Sequence, residues 1–265
     1  MIKPKKSLGQ NFLIDKNIIQ KIINKSDIKN NNVLEIGPGT GNLTSKILEQ
    51  KPKSLILVEK DALLALALKK KFKLNKNVKI FNENILKFDI EEEIRDKSII
   101  IGNLPYNISS QILTKLIKFK VWLPKYKKLV LMFQKEVADK IIAKPGSFEF
   151  GRLSIITSSR LKIVDSFIVS PNSFFPIPKI KSKVLIFEPI INSNFKVKNI
   201  NILEKITHDF FSKKRKMINK VFKNLFKDYE KNAADLNIDL NLRPNALSDN
   251  DYYNITRLYE KNHKI

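Results

Sequence analysis

Residues 33–41 read VLEIGPGTG: an apolar, strand-like run leads directly into three alternating glycines, and a helical stretch follows. Glycine lets the backbone adopt positive φ and approach a ligand closely. The spacing is G-x-G-x-G, whereas a dinucleotide-binding loop has G-x-G-x-x-G and a phosphate-binding P-loop has Gly-Lys-Ser/Thr. Position 42 is Asn, so neither pattern is complete. The loop therefore predicts a nucleoside-like ligand that is not held through a pyrophosphate.

Short apolar runs alternate with helical stretches on both sides of this loop. The runs are rich in Ile, Val and Leu, as the strands of a covered parallel sheet are, and they occupy residues 33–36, 55–58, 78–81, 99–101 and 129–133. Helical spacing follows between them. This alternation predicts βαβ units and an α/β fold class. Two later runs, 163–169 and 183–187, are expected to close the sheet as antiparallel edge strands.

The sequence pattern changes after Glu188. Residues 189–198 have few periodic cues and are expected to form a linker, and apolar residues at helical spacing follow over 203–226. A last helix is expected over 246–259, with Ser248 as its N-cap. The sequence therefore predicts two domains, residues 1–188 and a small helical domain over 189–265.

Charge is the unusual feature of the composition. Fifty Lys and Arg against 26 Asp and Glu give a formal net charge of +24 over 265 residues, which favours a polyanion as partner. With no Cys and two His, zinc sites and thiol or Ser-His-Asp chemistry have almost nothing to draw on, and no metal is expected. The longest purely apolar run, residues 62–68, is far shorter than a membrane span of roughly 20 residues. Without a signal-peptide pattern, we expect a cytoplasmic protein with no membrane contact.

Glu59 ends the second predicted strand, 22 residues after Gly37. A carboxylate at this point can accept both hydroxyl hydrogens of a ribose. S-adenosylmethionine fits the two features together, because it carries an adenine, a ribose and a cationic sulfonium but no phosphate. The plainer interpretation is a tight strand–helix turn followed by a solvated glutamate.

Residues 102–107, GNLPYN, follow the fourth predicted strand, at the carboxyl end where open α/β sheets bind ligands. The exocyclic amine of adenine is a poor nucleophile because its lone pair is delocalised into the ring. The side-chain oxygen of Asn103 and the carbonyl of Leu104 can bind the two amine hydrogens and aim the lone pair at a methyl group. Tyr106 can stack on the base. The motif predicts adenine N6 methylation; a Pro-stiffened turn with a packed Tyr is the alternative.

These motifs resemble the KsgA/RsmA family of ribosomal RNA adenine N6,N6-dimethyltransferases. Further blocks extend the resemblance nearly end to end: SLGQNFL at 7–13, QKEV at 134–137, GRLS at 151–154, FFPIPK at 174–179 with Ser182, and KRK at 214–216. The resemblance implies a Rossmann-like class I methyltransferase domain that uses S-adenosylmethionine, and an all-helical C-terminal domain that binds rRNA. The implied substrate is two adjacent adenosines in the 3′-terminal hairpin of 16S rRNA, within the immature small ribosomal subunit. We expect a monomer with a role in small-subunit biogenesis.

The resemblance also implies individual roles. Catalytic positions fall on Asn103, Leu104 and Tyr106, and cofactor contacts fall on Asn11, Leu13, Gly37, Glu59, Asn84 and Asn103. The family usually has Asp where this chain has Asn84, and a shift of one residue would place Glu83 against the cofactor adenine instead. Substrate contacts are expected from Phe174, on the base face opposite Tyr106, and from Lys213, Lys214, Arg215 and Lys216 on rRNA phosphates. The plainer alternatives are a core phenylalanine and a solvated basic face.

Three other functions stay open at this point. An Erm-type methyltransferase shares the fold and acts on large-subunit rRNA, although the blocks at 134–137, 174–182 and 214–216 argue against it. A DNA adenine methyltransferase would share the Asn-x-Pro-Tyr chemistry but should carry a base-reading domain, and the sequence shows no sign of one. A ribosome-assembly factor without catalysis would not need the intact Asn103 and Glu59.

Overall fold

The computed structural model describes residues 4–5, 9–191 and 197–263. Along these residues the strands are β1 (Phe12–Leu13), β2 (Asn32–Ile36), β3 (Ser54–Glu59), β4 (Val78–Asn82), β5 (Ser98–Asn103), β6 (Tyr126–Gln134), β7 (Leu161–Val169), β8 (Phe174–Phe175) and β9 (Ser182–Pro189). The helices are α1 (Lys16–Asn24), α2 (Asn42–Glu49), α3 (Ala62–Lys71), α4 (Ile90–Glu93), α5 (Ser109–Ile117), α6 (Lys135–Ile142), α7 (Arg152–Arg160), α8 (Ile200–Phe211), α9 (Asn219–Leu225), α10 (Tyr229–Asp235) and α11 (Asp249–Asn262).

Seven strands form the central sheet, in the order β4-β3-β2-β5-β6-β9-β7. The first five pair in parallel, and β9 pairs antiparallel to β6 as expected, although β9 lies inside the sheet and β7 forms the edge. The central strands are buried because they are apolar on both faces; Ile99, Ile100 and Ile101 of β5 have no exposed surface. The strand order reverses next to β2, which is the switch point where open α/β sheets bind ligands. The fold thus places the glycine loop after β2 beside the end of β5.

The described chain divides into two compact units. The first runs to Ala138 and includes residues 162–189, and the second contains residues 139–161 and the chain from Ile190 onward. This differs from the expected division at 188/189, because α7 belongs to the helical unit. Two of its residues contact Tyr253 of α11. The Tyr253 hydroxyl donates a hydrogen bond to the Ile155 carbonyl, and Ser158 Oγ lies 2.8 Å from the same hydroxyl. Because α7 precedes β7 and β9 in the chain, nothing in the sequence indicated that it belongs to the second unit.

The helical spacing over 203–226 corresponds to two helices of the second unit and not to one continuous helix. These helices are α8 and α9, and residues 212–216 form the turns between them. Phe210 closes this core from α8, with ring centroids 5.9 Å from Phe222 and 5.3 Å from Tyr252. The expected N-cap of the last helix is confirmed: the Asp251 backbone N–H donates to Ser248 Oγ at 3.2 Å.

Two features are absent from the described part of the chain. No helix there is long and apolar enough to span a bilayer. No group of three or more His, Cys, Asp or Glu side chains there could hold a metal ion.

Candidate active site

A cavity, here called the strand-end cavity, opens at the carboxyl ends of β2 to β5. Of the residues expected to act, its lining contains Asn11, Leu13, Gly37, Glu59, Asn84, Asn103 and Tyr106, together with Glu83. These residues come from five separate stretches of sequence. Four of the stretches meet because the carboxyl ends of parallel strands lie on one edge of the sheet. Asn11 and Leu13 belong to the segment before α1, which side-chain hydrogen bonds to their carbonyls hold beside that edge.

The glycine loop lines one side of the cavity with backbone. Gly37 has φ of +66° and Gly39 has φ of +58°, a region that other residues rarely adopt. A Cβ on Gly39 would lie 2.9 Å from a ring carbon of Phe12, so a larger residue would displace that ring. The sequence therefore keeps this side of the cavity open to a ligand of nucleoside size.

Glu59 is held in place by the backbone of the same loop. Its Oε2 accepts the Gly39 N–H at 3.0 Å, and its Oε1 accepts the Asp61 N–H at 2.8 Å. Burial raises the pKa of the carboxyl above its ordinary value, and these backbone hydrogen bonds oppose the rise. Each oxygen has a second lone pair, so the carboxylate can still accept two hydroxyl hydrogens.

Glu35 also lines the cavity, although sequence reasoning gave it no role. It is 2% exposed, and Thr44 Oγ1 donates to its Oε2 at 2.6 Å. Burial raises the pKa of the Glu35 carboxyl to about 8, and the nearby Glu59 carboxyl adds to the rise. The sequence signal for Glu35 would have been an acidic residue inside an otherwise apolar predicted strand.

The segment before α1 is tied across the cavity by three amide side chains. Asn103 Nδ2 donates to the Asn11 carbonyl at 2.9 Å, and Asn42 Nδ2 donates to the Leu13 carbonyl at 2.9 Å. Gln10 Nε2 donates to Asp61 Oδ2 at 3.2 Å. Because the Asn103 nitrogen is engaged by a carbonyl, its Oδ1 is the atom of this amide that can accept hydrogens from a substrate.

Tyr106 is anchored through its hydroxyl. The hydroxyl lies 2.8 Å from Oγ of Ser182, which is fully buried at the start of β9. Burial raises the pKa of Tyr106, so the hydroxyl stays protonated at neutral pH. Leu104 lies in the chain between Asn103 and Tyr106. Its side chain is 1% exposed and does not line the cavity. Its expected contribution comes from the main-chain carbonyl.

Phe174 differs from the sequence expectation. It is 1% exposed, packs in the core of the first unit and does not line the strand-end cavity. Strand β8 pairs with β1 so that Phe174 lies opposite Leu13, whereas Phe175 lies opposite Phe12 and is 54% exposed. Neighbouring residues on a strand point to opposite faces, so the register places the second phenylalanine, not the first, toward solvent.

Asn84 and Glu83 both line the cavity after β4. Asn84 Oδ1 accepts the Leu86 N–H at 3.1 Å, which closes a turn on the residue's own backbone. Lys115 of α5 holds the far side of this turn, because its Nζ donates to the Leu86 and Phe88 carbonyls at 2.8 Å each. Sequence reasoning missed Lys115, since a lysine on a predicted helix gives no sign of a carbonyl partner.

The basic residues predicted to bind rRNA lie in the second unit, in the turns between α8 and α9. They line a groove, here called the basic groove, formed by cations that include Lys213, Lys214, Arg215, Lys216, Lys220 and Arg243. Lys213, Arg215 and Lys216 are exposed and Lys214 is half-buried. Four consecutive cations on one groove suit a chain of phosphates.

The family model described as "Ribosomal RNA adenine dimethylase" matches residues 1–261. The chain belongs to the ribosomal RNA adenine dimethylase family. It is therefore a methyltransferase, its methyl donor is S-adenosylmethionine, and the predicted α/β class I methyltransferase fold with a helical C-terminal region is confirmed.

Individual relatives agree with this assignment. The chain is 48% identical to the ribosomal RNA small subunit methyltransferase A of Pelagibacter ubique, over 98% of both chains. It is 38% identical to the protein of that name from Francisella tularensis subsp. novicida, over 96% of both chains. The crystal structure of a dimethyladenosine transferase from Plasmodium falciparum has a TM-score of 0.78 at 27% identity, covering 95% of this chain and 98% of that one. The 23S rRNA methyltransferase ErmE, with a TM-score of 0.69 at 20% identity over 94% of this chain and all of that one, shares the fold.

The strand-end cavity fits the methyl donor. The positive-φ glycines line it with backbone, and Glu59 presents a fixed, buried carboxylate to a group with hydroxyls and a positive charge.

Proposed function

We propose that this chain transfers methyl groups from S-adenosylmethionine to N6 of two adjacent adenosines in the 3′-terminal hairpin of 16S rRNA. The substrate is the immature small ribosomal subunit, and the chain acts as a cytoplasmic monomer in subunit biogenesis. Relatives named as small-subunit methyltransferases, similar over nearly the whole chain, support the choice of RNA. The observation that carries the chemistry is the Asn103 amide, whose nitrogen is fixed by the Asn11 carbonyl.

The donor would be held by residues that line the strand-end cavity, namely Asn11, Leu13, Gly37, Glu59, Asn84 and Asn103. The Glu59 carboxylate accepts hydrogens from the ribose hydroxyls, and the backbone at Gly37 lies against the nucleoside. Asn84, or Glu83 beside it, contacts the adenine, and Leu13 supplies an apolar contact. S-adenosylmethionine, when bound, supplies the methyl group.

The target amine is oriented by acceptors and by stacking. The Asn103 Oδ1 and the Leu104 carbonyl accept its two hydrogens, which favours a pyramidal nitrogen with its lone pair toward the methyl group. The Tyr106 ring stacks on the base, and its hydroxyl contact with Ser182 limits the movement of the ring. The methylated amine loses one proton to water. One hydrogen remains for the second round, and one acceptor is enough to orient it.

Replacing Asn103 tests this assignment. Asn103→Ala should lower the methylation rate constant by about 10²- to 10³-fold, the scale for losing one preorganised polar contact. The measurement is methyl transfer to small subunits from a strain that lacks the modification, at saturating donor. Asn75→Ala, which removes an exposed amide outside the cavity lining, is the matched control.

Three outcomes would contradict the proposal. A near-normal rate for Asn103→Ala would mean that another group orients the amine. Transfer to large-subunit rRNA instead of small subunits would indicate an Erm-type enzyme. Binding of small subunits by the wild-type chain without any methyl transfer would indicate an assembly factor.

A further inference from the structure

An exposed phenylalanine occupies the connection between α6 and α7 in the second unit. Phe148 is 82% exposed. Single apolar residues on a surface are common and need no explanation by themselves. Phe148 differs because its neighbours fix its position and because a cation lies over its ring.

The chain on both sides of Phe148 is anchored. On one side, the Gly146 N–H donates to the Asn245 carbonyl at 2.7 Å. On the other side, Phe150 is fully buried and packs edge-on against Phe211, with ring centroids 6.4 Å apart. Between the anchors, the Ser147 hydroxyl donates to the Lys144 carbonyl at 2.8 Å. The turn is therefore held in shape, and an apolar ring is presented at a defined place rather than on a loose loop.

Lys214 connects this turn to the basic groove. Its Nζ donates to the Phe148 carbonyl and lies 4.8 Å from the centroid of the Phe148 ring. Lys214 is also one of the four consecutive cations of the basic groove. One residue thus contacts both features, so an aromatic ring and a run of cations lie side by side within the second unit.

We propose that Phe148 is a stacking platform for an unpaired rRNA base, whose flanking phosphates are bound by the basic groove. The proposal rests on the proposed function, in which rRNA is the ligand of this unit. An aromatic ring beside cations is the arrangement with which proteins bind single-stranded nucleic acid: the ring takes the face of a base, and the cations take the backbone. Within the described turn 144–150 the charges of Lys144 and Glu149 offset each other, so the positive charge beside the ring comes from the basic groove.

The first test compares affinities for small subunits that lack the modification. Phe148→Ala should weaken binding by about 5- to 100-fold, the range for losing one base–aromatic stack. Phe148→Trp should bind as tightly as wild type or more tightly. The loss in Phe148→Ala should be the same factor at every salt concentration, since stacking releases no counterions. Leu74→Ala, in the first unit, removes another exposed apolar side chain (92% exposed) and is the matched control.

The second test identifies what Phe148 touches. A benzophenone amino acid at position 148 is photo-crosslinked to small subunits, and the product is mapped. A crosslink to an rRNA nucleotide supports the proposal; a crosslink to a ribosomal protein, or to neither, overturns it. Unchanged affinity of Phe148→Ala also overturns it. Failure of the proposed function would appear separately, as absence of methyl transfer to small subunits by the wild-type protein.

Discussion

At the scale of single residues, the lining of the strand-end cavity contains two buried carboxyl groups. Glu35 and Glu59 are 2% and 6% exposed, and the pKa of each is raised by burial. Glu59 accepts two backbone N–H groups, which stabilise its charged form, whereas Glu35 has one hydroxyl partner, Thr44. The environments therefore separate the two groups: Glu59 is suited to bind as a carboxylate, and Glu35 is suited to remain protonated near neutral pH.

Glu35 predicts a pH dependence of stability. Its pKa in the folded chain is about 8, against an ordinary value of 4.5. Between these values the folded state holds a proton that the unfolded chain has released, so the free energy of unfolding should fall as pH rises through this window and level off above it. Glu35→Gln keeps the shape and an acceptor for Thr44 and should remove this fall, which approaches about 1.4 kcal/mol per pH unit at its steepest.

The measurement is urea unfolding of wild type and Glu35→Gln at several pH values between 5 and 9. Glu92→Gln, an exposed carboxyl, is the control and should follow wild type. Parallel pH profiles for wild type and Glu35→Gln would show that the Glu35 carboxyl is charged in the folded state.

The place of a residue at the cavity was predictable from sequence where the end of a strand fixed that place. Glu59 and Asn103 are each the last residue of a parallel strand, so their place at the cavity follows from the alternation of strands and helices. Phe174 was not predictable, because two adjacent phenylalanines on a strand face opposite ways and the register with β1 decides between them. A shift of this register by one residue would exchange the buried and exposed positions between Phe174 and Phe175.

At the scale of elements, α5 supports the loop that carries Asn84. Lys115 bridges from α5 to the Leu86 and Phe88 carbonyls, and desolvation lowers the pKa of its ammonium group while the charges of Asp89 and Glu83 oppose that effect. The helix follows directly from the GNLPYN motif. One element thus connects the target-base side of the cavity with the side expected to hold the donor adenine.

Lys115→Met should therefore weaken donor binding. The variant keeps the apolar stem but removes both hydrogen bonds from a charged group, and we expect the KM for S-adenosylmethionine to rise by about 5- to 20-fold. The rate constant at saturating donor should change little, because Asn103 and Tyr106 are untouched. Lys115→Arg should restore part of the affinity. Lys87→Met, which alters an exposed lysine on the same loop, is the matched control.

An equal fall in kcat and in donor affinity would assign Lys115 to general stability instead. Thermal unfolding of each variant separates that case, since a positioning role predicts a similar melting temperature in Lys115→Met and Lys87→Met.

The sequence did not predict to which unit α7 belongs. This helix joins the second unit through side-chain contacts that no local pattern encodes.

At the scale of the whole molecule, the net charge of +24 is spread along the chain. Residues 190–265 contain 15 basic and 9 acidic side chains, so most of the excess lies before Ile190. Total charge therefore accounts for attraction to a polyanion but does not locate its contact surface. The structure adds a local feature that composition lacks, namely consecutive cations on one groove of the second unit.

The basic groove predicts how rRNA affinity depends on salt. Replacing Lys213, Arg215 and Lys216 together by Ala removes up to three cations that can bind phosphates and leaves Lys214 in place to hold the Phe148 turn. The slope of log affinity against log salt should shrink by about 0.7 for each phosphate of single-stranded RNA that is no longer neutralised, or about 2 in all. Lys70, Lys73 and Lys76, exposed lysines of the first unit, give a control triple variant with the same change in net charge.

Binding isotherms on small subunits at several salt concentrations distinguish local contact from global charge. If rRNA phosphates lie in the basic groove, the groove variant has a shallower slope and the control keeps the wild-type slope. Equal shallow slopes in both variants would mean that net charge alone attracts the RNA, and unchanged slopes in both would make the groove a solvated face. Methyl transfer at saturating subunit concentration should stay near wild type in the groove variant, because phosphate contacts position the RNA and leave the orientation of the amine to Asn103.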